Sequence, residues 1–216
     1  MQDLEKIDII FCLKGERLIS LIVGITCIKE KEVIMRIVLI GIQGAGKSTQ
    51  GNLLAESLNL PYLSSGHIFR QMAKRKTKLG RWLKETLNAG ILVPDDVTTD
   101  IVNEYLEKDE YENGYIIDGY PRTVVQAEEF TDGKEKVVFI DVSDKEALWR
   151  ISGRVSDRAD ETLQAIRKRI ELFHELTVEV LDYYRSKDQL IRVDGEQSVE
   201  LVFNDIMSSL KEYLSD

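Results

Sequence analysis

The chain has 216 residues, of which 43% are hydrophobic, and a formal net charge of −9. This length and hydrophobic content predict one domain with a substantial core. The acidic charge argues against nucleic-acid binding, because phosphate backbones attract a basic surface. The two cysteines, Cys12 and Cys27, both lie before residue 35. The main part of the chain therefore has neither a disulfide framework nor a thiolate zinc site, which is typical of a reducing, cytoplasmic interior.

Residues 1–34 differ in character from the rest of the chain. An apolar run at 18–28 is too short to span a bilayer, and a charged segment follows it in place of a small-residue cleavage site. The run could pair with residues 7–13 as a hairpin, or the true start could be Met35. We predict that the first 34 residues are a dispensable or wrongly assigned extension with no membrane anchor, and that the main domain is 35–216.

From residue 35 onward, apolar segments of strand length alternate with segments of helix length. Strands are predicted at 37–40, 61–63, 115–118, 137–141 and 189–193. Helices are predicted at 49–58, after the turn at 64–66, at 79–89, from Pro94, at 161–184 and at 199–213. The longest helix has an apolar stripe that comprises Leu163, Ile166, Ile170, Phe173 and Leu181. Strands that alternate with helices predict an α/β fold with a five-stranded parallel sheet.

The first strand leads into the segment Gly41-Ile42-Gln43-Gly44-Ala45-Gly46-Lys47-Ser48-Thr49, and a helix follows. Glycines let successive backbone N–H groups in such a loop point at phosphate oxygens, and the helix N-terminus adds partial positive charge. Lys47 brings a full charge to the outer phosphates, and the Ser48 hydroxyl can bind magnesium. A glycine-rich turn without a ligand is the alternative, but it does not account for the whole motif in this context. We therefore predict nucleotide binding by Gly44, Ala45, Gly46, Lys47, Ser48 and Thr49.

Charged residues near the ends of later elements extend this predicted site. Asp118 ends an apolar strand, and the carboxyl ends of parallel strands meet at the ligand crevice, where an acid can orient magnesium and its waters. Arginine suits phosphoryl transfer because its planar guanidinium binds phosphate oxygens through two N–H groups. A single arginine is most often a surface residue, but Arg122 closely follows Asp118. Arg150 and Arg154 are spaced four apart and are expected on one helix face.

Four blocks of the sequence resemble the adenylate kinases and the wider nucleoside monophosphate kinases. They are the loop at 41–49, Leu63-Ser64-Ser65-Gly66-His67-Ile68-Phe69-Arg70, Leu92-Val93-Pro94-Asp95, and Ile117-Asp118-Gly119-Tyr120-Pro121-Arg122-Thr123-Val124-Val125-Gln126. The resemblance implies a P-loop three-layer fold with a small acceptor-binding helical insertion at 64–93. It implies reversible phosphoryl transfer from MgATP to AMP, which gives two ADP and serves nucleotide homeostasis. It also implies a cytoplasmic monomer whose partners are ATP, AMP and ADP.

The same resemblance implies a role for each matching side chain. For AMP it implies binding by Ser65, Arg70, Val93, Gly119, Arg122 and Gln126. Within this set, Arg70 and Arg122 hold the acceptor phosphate and Gln126 reads adenine. For ATP it adds Arg150, beside the donor base, and Arg154 to the loop residues. The implied catalytic residues are Lys47, Arg122, Arg154, Arg158 and Arg169. Related pyrimidine monophosphate kinases usually have Ala and Asn in place of Ser65 and Gln126, so these two residues favour AMP.

The sequence also departs from the family pattern. Gln43, Ser48 and His67 stand where the family usually has Pro, Gly and Asp. The lid is reduced to 154–158, which predicts no lid domain and no zinc. Another nucleoside monophosphate kinase, with GTP as donor or CMP or UMP as acceptor, is an alternative, and so is a catalytically weak nucleotide-binding regulatory protein. We expect an active enzyme, because all the family arginines are retained.

Overall fold

A five-stranded sheet forms the centre of the molecule. The computed structural model describes residues 34–130, 133–153 and 162–214, with side chains to residue 212. The strands are β1 (Met35–Ile40), β2 (Tyr62–Ser64), β3 (Gly114–Asp118), β4 (Glu135–Asp141) and β5 (Leu190–Asp194). Neighbouring strands are all parallel, in the order β2-β3-β1-β4-β5. The predicted α/β fold with a five-stranded parallel sheet is therefore confirmed.

Helices connect the strands in chain order. They are α1 (Lys47–Leu58), α2 (Ser65–Ala73), α3 (Lys78–Ala89), α4 (Asp95–Leu106), α5 (Val124–Phe130), α6 (Asp144–Ser152), α7 (Leu163–Leu172), α8 (Val178–Ser186) and α9 (Val199–Leu214). A 3₁₀ turn at Asp109–Tyr111 precedes β3. The long helix predicted at 161–184 is α7 and α8 joined by a π-helical segment at Phe173–Thr177. Within the described part of the chain, no helix is long and apolar enough to cross a membrane.

The sheet separates two hydrophobic cores. Alternate residues of β1 face opposite sides of the sheet, as the pleat of a strand requires. Val38 lies in one buried cluster, which includes Leu181 of α8. Ile37 lies in the other, which includes Leu54 of α1 and Ile206 of α9. The two cores produce the predicted three layers, in which helices cover both faces of a parallel sheet.

The apolar stripe predicted along residues 161–184 packs against the core from its second member onward. Four of its members are buried or half-buried, namely Ile166, Ile170, Phe173 and Leu181. Leu163 is instead 59% exposed. It is the first residue of α7, directly after the Thr162 cap, and it precedes the residues through which this helix reaches the core. Helical periodicity therefore identified the correct face but not the point at which packing begins.

Two neighbouring strands bring the predicted ligand-binding elements together. β1 pairs with β3 so that Leu39 lies opposite Asp118. The loop at 41–46 leaves the carboxyl end of β1 and leads into α1. Because parallel strands end at the same edge of a sheet, the loop and Asp118 lie side by side. The predicted extension, apart from Ile34, and the predicted lid at 154–158 lie outside the described residues.

Candidate active site

The glycine-rich loop has a backbone that only glycine readily adopts. Gly44 and Gly46 both have φ of 96°, in the left-handed region. A Cβ on Gly41 would lie 2.8 Å from the backbone oxygen of Ile140 in the adjacent β4. Gly46 precedes α1, and no side chain caps the first N–H groups of that helix. These N–H groups and the helix dipole form a site suited to a phosphate anion.

The side chain of Lys47 folds back onto the backbone of this loop. Its ammonium Nζ donates hydrogen bonds to the backbone oxygens of Gly41 at 2.7 Å and Ile42 at 2.9 Å. The same Nζ is 4.0 Å from Oδ1 of Asp118. The ammonium is therefore held between the backbone of the loop and the carboxylate of Asp118.

One carboxylate oxygen of Asp118 forms an ion pair with Lys47 but accepts no hydrogen bond from the described residues. Its Oδ2 accepts a hydrogen bond from the Tyr62 hydroxyl at 3.0 Å. Its Oδ1 is buried and has no hydrogen-bond partner among the described residues. An unsatisfied buried carboxylate oxygen is costly, so such an atom is a marker for a cation or an ordered water. Together with the hydroxyl of Ser48, which lines the same cleft, this oxygen fits the hard-oxygen ligand set that Mg²⁺ prefers.

Three guanidinium groups surround the middle of the cleft. Burial lowers the pKa of Arg122, Asp118 raises it, and the positive charges of Arg169 and Arg70 lower it further. Arginine stays protonated despite such shifts. The Nε of Arg122 donates to the backbone oxygen of Gly119 at 2.8 Å, and its own backbone oxygen accepts from Oγ1 of Thr177 at 3.0 Å. The arginines concentrate positive charge in this part of the cleft, which suits a bound polyphosphate.

Arg169 connects the P-loop with the acceptor side. Its Nη1 donates to Oε1 of Gln43 at 3.2 Å, and its Nη2 donates to the backbone oxygen of Leu87 at 2.8 Å. Leu87 lies near the end of α3, so one side chain of α7 joins the loop and the 64–93 insertion. Sequence reasoning singled out Gln43 only as a departure from the family. Its contact with a predicted catalytic arginine could not be read from a local motif.

Gln126, predicted to read the acceptor base, is held by two hydrogen bonds. The side chain is 1% exposed. Its Oε1 accepts from the backbone N–H of Arg122 at 2.8 Å, and its Nε2 donates to Oδ1 of Asp95 at 2.7 Å. In the sequence, Asp95 is only a member of the block at 92–95 that carries the family resemblance, and no role is implied for it. The structure therefore adds a side chain that the sequence patterns did not associate with base binding.

The other predicted acceptor residues divide into two groups. Arg70, Val93 and Gly119 line the same cleft as the P-loop, together with Gln126 and Arg169. Ser65 is only 2% exposed, is not part of the cleft lining, and packs so closely that a Cβ on Gly119 would lie 2.6 Å from its Oγ. The preceding serine, Ser64, lines the cleft instead and caps α2. A base-binding role for Ser65 stays a prediction.

Comparisons with known proteins identify the family of the chain. A family model described as adenylate kinase matches residues 39–189. The chain belongs to the adenylate kinase family. An adenylate kinase of Thermoanaerobacter sp. strain X514 is 36% identical over 212 residues, covering 82% of this chain and 98% of that protein. Adenylate kinase 1 of Nostoc sp. strain PCC 7120 is 37% identical over 182 residues, covering 81% of this chain and 98% of that protein.

In this adenylate kinase family member, the predicted donor-base residue Arg150 is not part of the cleft lining that the predicted acceptor residues share. Nε of Arg150 donates to Oε1 of Glu146 at 2.8 Å, and its Nη2 donates to the backbone oxygen of Gly195 at 2.9 Å. These contacts fix the guanidinium of α6 against the turn after β5. The helix ends at Ser152. Arg154, expected on the same helix face, and Arg158 lie outside the described residues.

Two further departures from the family pattern have different surroundings. Ser48 lines the cleft. His67 is exposed on α2, and its Nε2 lies 3.4 Å from Nε2 of Gln71. It is not part of the cleft lining. Within residues 34–130, 133–153 and 162–214, no group of three or more His, Cys, Asp or Glu side chains is arranged to hold a metal ion.

Proposed function

We propose that this chain catalyses the reversible transfer of the γ-phosphoryl group from ATP to AMP, which gives two ADP and balances the adenine nucleotides. Membership in the adenylate kinase family makes it a nucleotide-binding phosphotransferase. The observation that carries the proposal is the convergence of the P-loop, Lys47, Asp118 and three mutually close arginines on one cleft. Phosphoryl transfer depends mainly on positioning and on charge stabilisation, and these groups supply both.

In this mechanism the donor triphosphate binds the backbone N–H groups of the segment that comprises Gly44, Ala45, Gly46, Lys47, Ser48 and Thr49. The Lys47 ammonium exchanges its two backbone oxygens for phosphate oxygens and follows the charge that moves during transfer. The AMP phosphate attacks the γ-phosphorus in line. No general base is needed, because this phosphate is already anionic at neutral pH.

Arginines carry the electrostatic part of the reaction. Arg70 and Arg122 hold the AMP phosphate, and Arg169 bridges the acceptor and donor sides. Arg154 and Arg158 would close over the transferring group as the lid shuts and excludes water. The proposed short lid is at 154–158. The alignment lengths support an insertion that one relative has and this chain lacks: 212 residues for the Thermoanaerobacter enzyme but 182 for the Nostoc enzyme, with nearly equal coverage of this chain. The former thus has residues in the aligned region that this chain lacks.

Magnesium is the proposed cofactor, and we infer that Ser48 and Asp118 hold it, in part through water. The buried Oδ1 of Asp118, without a hydrogen-bond partner among the described residues, supports this assignment. When bound with ATP, the ion neutralises phosphate charge. The proposal includes no zinc, and it includes a cytoplasmic monomer, as the family resemblance implies. Analytical ultracentrifugation of the full chain tests the monomer directly.

The decisive experiment is a coupled assay with MgATP and, in turn, AMP, CMP, UMP or GMP. ADP formation with AMP alone supports the proposal. Transfer to CMP or UMP would still be nucleoside monophosphate kinase activity, but it would overturn the assignment of AMP as the acceptor. Lys47→Met should abolish transfer, whereas Lys76→Met, which changes an exposed lysine outside the cleft, should leave it unchanged. If folded protein fails with all four acceptors and with GTP as donor, the regulatory-protein alternative replaces the enzyme.

A further inference from the structure

The buried amide of Gln126 lies between two groups of opposite hydrogen-bonding character. We propose that Asp95 is a specificity-determining positioning residue, which fixes the orientation of this amide so that the acceptor pocket takes a 6-aminopurine and rejects a 6-oxopurine. The inference rests on the proposed function, because it concerns the base of the AMP-binding site.

The orientation of the amide follows from what each neighbour can do. The backbone N–H of Arg122 can only donate, so the atom 2.8 Å from it must be the amide oxygen. An ionised carboxylate can only accept, so the atom 2.7 Å from Oδ1 of Asp95 must be the amide nitrogen. The two contacts therefore agree on one orientation of Gln126.

The reversed orientation is strongly disfavoured. It would direct Oε1 of Gln126 at the carboxylate of Asp95 and the NH₂ group at the N–H of Arg122, so two hydrogen bonds would become two repulsive contacts. The amide is 1% exposed, so water cannot readily compensate for either loss. Of the two contacts, that with Asp95 is charge-assisted and is the stronger.

A fixed amide can discriminate between purines. After these two hydrogen bonds, Gln126 retains one N–H donor and further acceptor capacity on Oε1. Adenine has an acceptor at N1 next to a donor amino group at position 6, which complements this pair. Hypoxanthine and guanine have the reverse pattern, a donor N–H at N1 next to an acceptor oxygen at position 6. A site whose polar groups are fixed rejects a ligand that leaves them unpaired.

Asp95 lies in a hydrogen-bonded turn, and its neighbour Asp96 provides a matched control. Asp95 is the first residue of α4, and its turn is closed by a hydrogen bond of 3.2 Å from Oγ1 of Thr98 to the backbone oxygen of Val93. Asp96 lies in the same first turn of α4 but is exposed. Asp95→Asn and Asp96→Asn therefore remove the same charge from the same helix terminus, but only the first changes the contact with Gln126.

The test compares AMP with IMP, which differ at the relevant edge of the base. We expect Asp95→Asn to lower the ratio of kcat/KM for AMP to that for IMP by about tenfold, because an asparagine can pair with either orientation of Gln126. The change should lie mainly in KM. Asp96→Asn should keep the ratio within about twofold. A folded Asp95→Asn enzyme with the wild-type ratio, or one that loses AMP and IMP activity equally, would overturn the inference.

Equilibrium binding separates this inference from the proposed function. Isothermal titration calorimetry of AMP and IMP is carried out on the wild type and both variants, with thermal unfolding as the check on folding. Selective AMP binding that Asp95→Asn weakens would support the role of Asp95 even if the wild type transferred no phosphoryl group, a result that would overturn only the proposed enzyme activity. Equal binding of AMP and IMP by the wild type would overturn the inference.

Discussion

Replacement of Asp118 by Asn tests the assignment of the metal site most directly. The variant keeps the size of the side chain and can still accept the Tyr62 hydrogen bond, but it removes the negative charge 4.0 Å from Lys47. At this distance and an effective dielectric constant of about 20, a unit charge pair interacts by about 4 kcal/mol. A magnesium ion held by Ser48 and Asp118 would lose an electrostatic interaction of similar size with residue 118.

The expected result is a fall in kcat of about 100-fold, which corresponds to a loss of about 2.7 kcal/mol of transition-state stabilisation. This loss is smaller than the charge-pair energy of about 4 kcal/mol. The KM for ATP should stay the same or decrease, because removal of an anion makes the cleft more attractive to a polyphosphate. Steady-state assays over a range of Mg²⁺ concentrations measure both quantities. A lower kcat with an unchanged or lower KM would show that Asp118 orients the metal, because a residue that only binds the nucleotide would change KM instead.

Tyr62→Phe is the control for Asp118→Asn. It keeps the carboxylate charge but removes the hydrogen bond to Oδ2, a contact of 3.0 Å that contributes about 1 kcal/mol. The rate should therefore fall by no more than about fivefold. The reasoning is refuted if Asp118→Asn retains kcat within threefold of wild type, or if Tyr62→Phe causes an equal loss, since the carboxylate would then act through its packing and not through its charge.

Three further predictions concern the loop, the core and the extension. Gln43→Leu removes one hydrogen bond to Arg169 and leaves the bond to Leu87, so kcat should fall about three- to tenfold with little change in KM for ATP; an unchanged kcat would contradict a positioning role. Burial raises the pKa of Tyr184, whose hydroxyl has no partner among the described residues. Because the unfolded chain releases this proton first, the free energy of unfolding should fall as pH rises above about 10. In denaturation curves measured over this pH range, the free energy of unfolding of Tyr184→Phe should fall less than that of the wild type. At neutral pH the variant should be about 1 kcal/mol more stable. An equal dependence of the free energy of unfolding on pH in the two proteins would contradict this. A variant that starts at Met35 should keep its activity and unfolding temperature, and a large loss of either would show that the extension is functional.

Much of the site was predictable because it depends on local geometry. A strand, a glycine-rich loop and a helix are consecutive in the chain, so the motif at 41–49 predicts its own backbone, and Gly44 and Gly46 have the positive φ that such a loop requires. Asp118 was predictable for a related reason. Once the strands are parallel, their carboxyl ends must meet at one edge, and no knowledge of side-chain packing is needed to place this acid beside the loop.

The partners of these residues were not predictable. Gln43 contacts Arg169 across 126 residues of sequence, and Gln126 contacts Asp95 across 31. Nothing in a local pattern indicates that a residue at a helix N-terminus will accept from a buried amide. Similarly, adjacent serines at 64 and 65 are equivalent in a motif, but the turn from β2 into α2 directs one to the cleft and packs the other against Gly119.

The sequence by itself determined the α/β fold, the P-loop and the family, because hydrophobic periodicity and short motifs depend on neighbours along the chain. Only the tertiary structure decided which side chains hold the predicted catalytic and base-reading groups in place. Those contacts join Arg169 to both walls of the cleft and Gln126 to Asp95. They exist because the packing of helices on a twisted sheet brings distant segments within hydrogen-bond distance, and this packing depends on the whole chain at once.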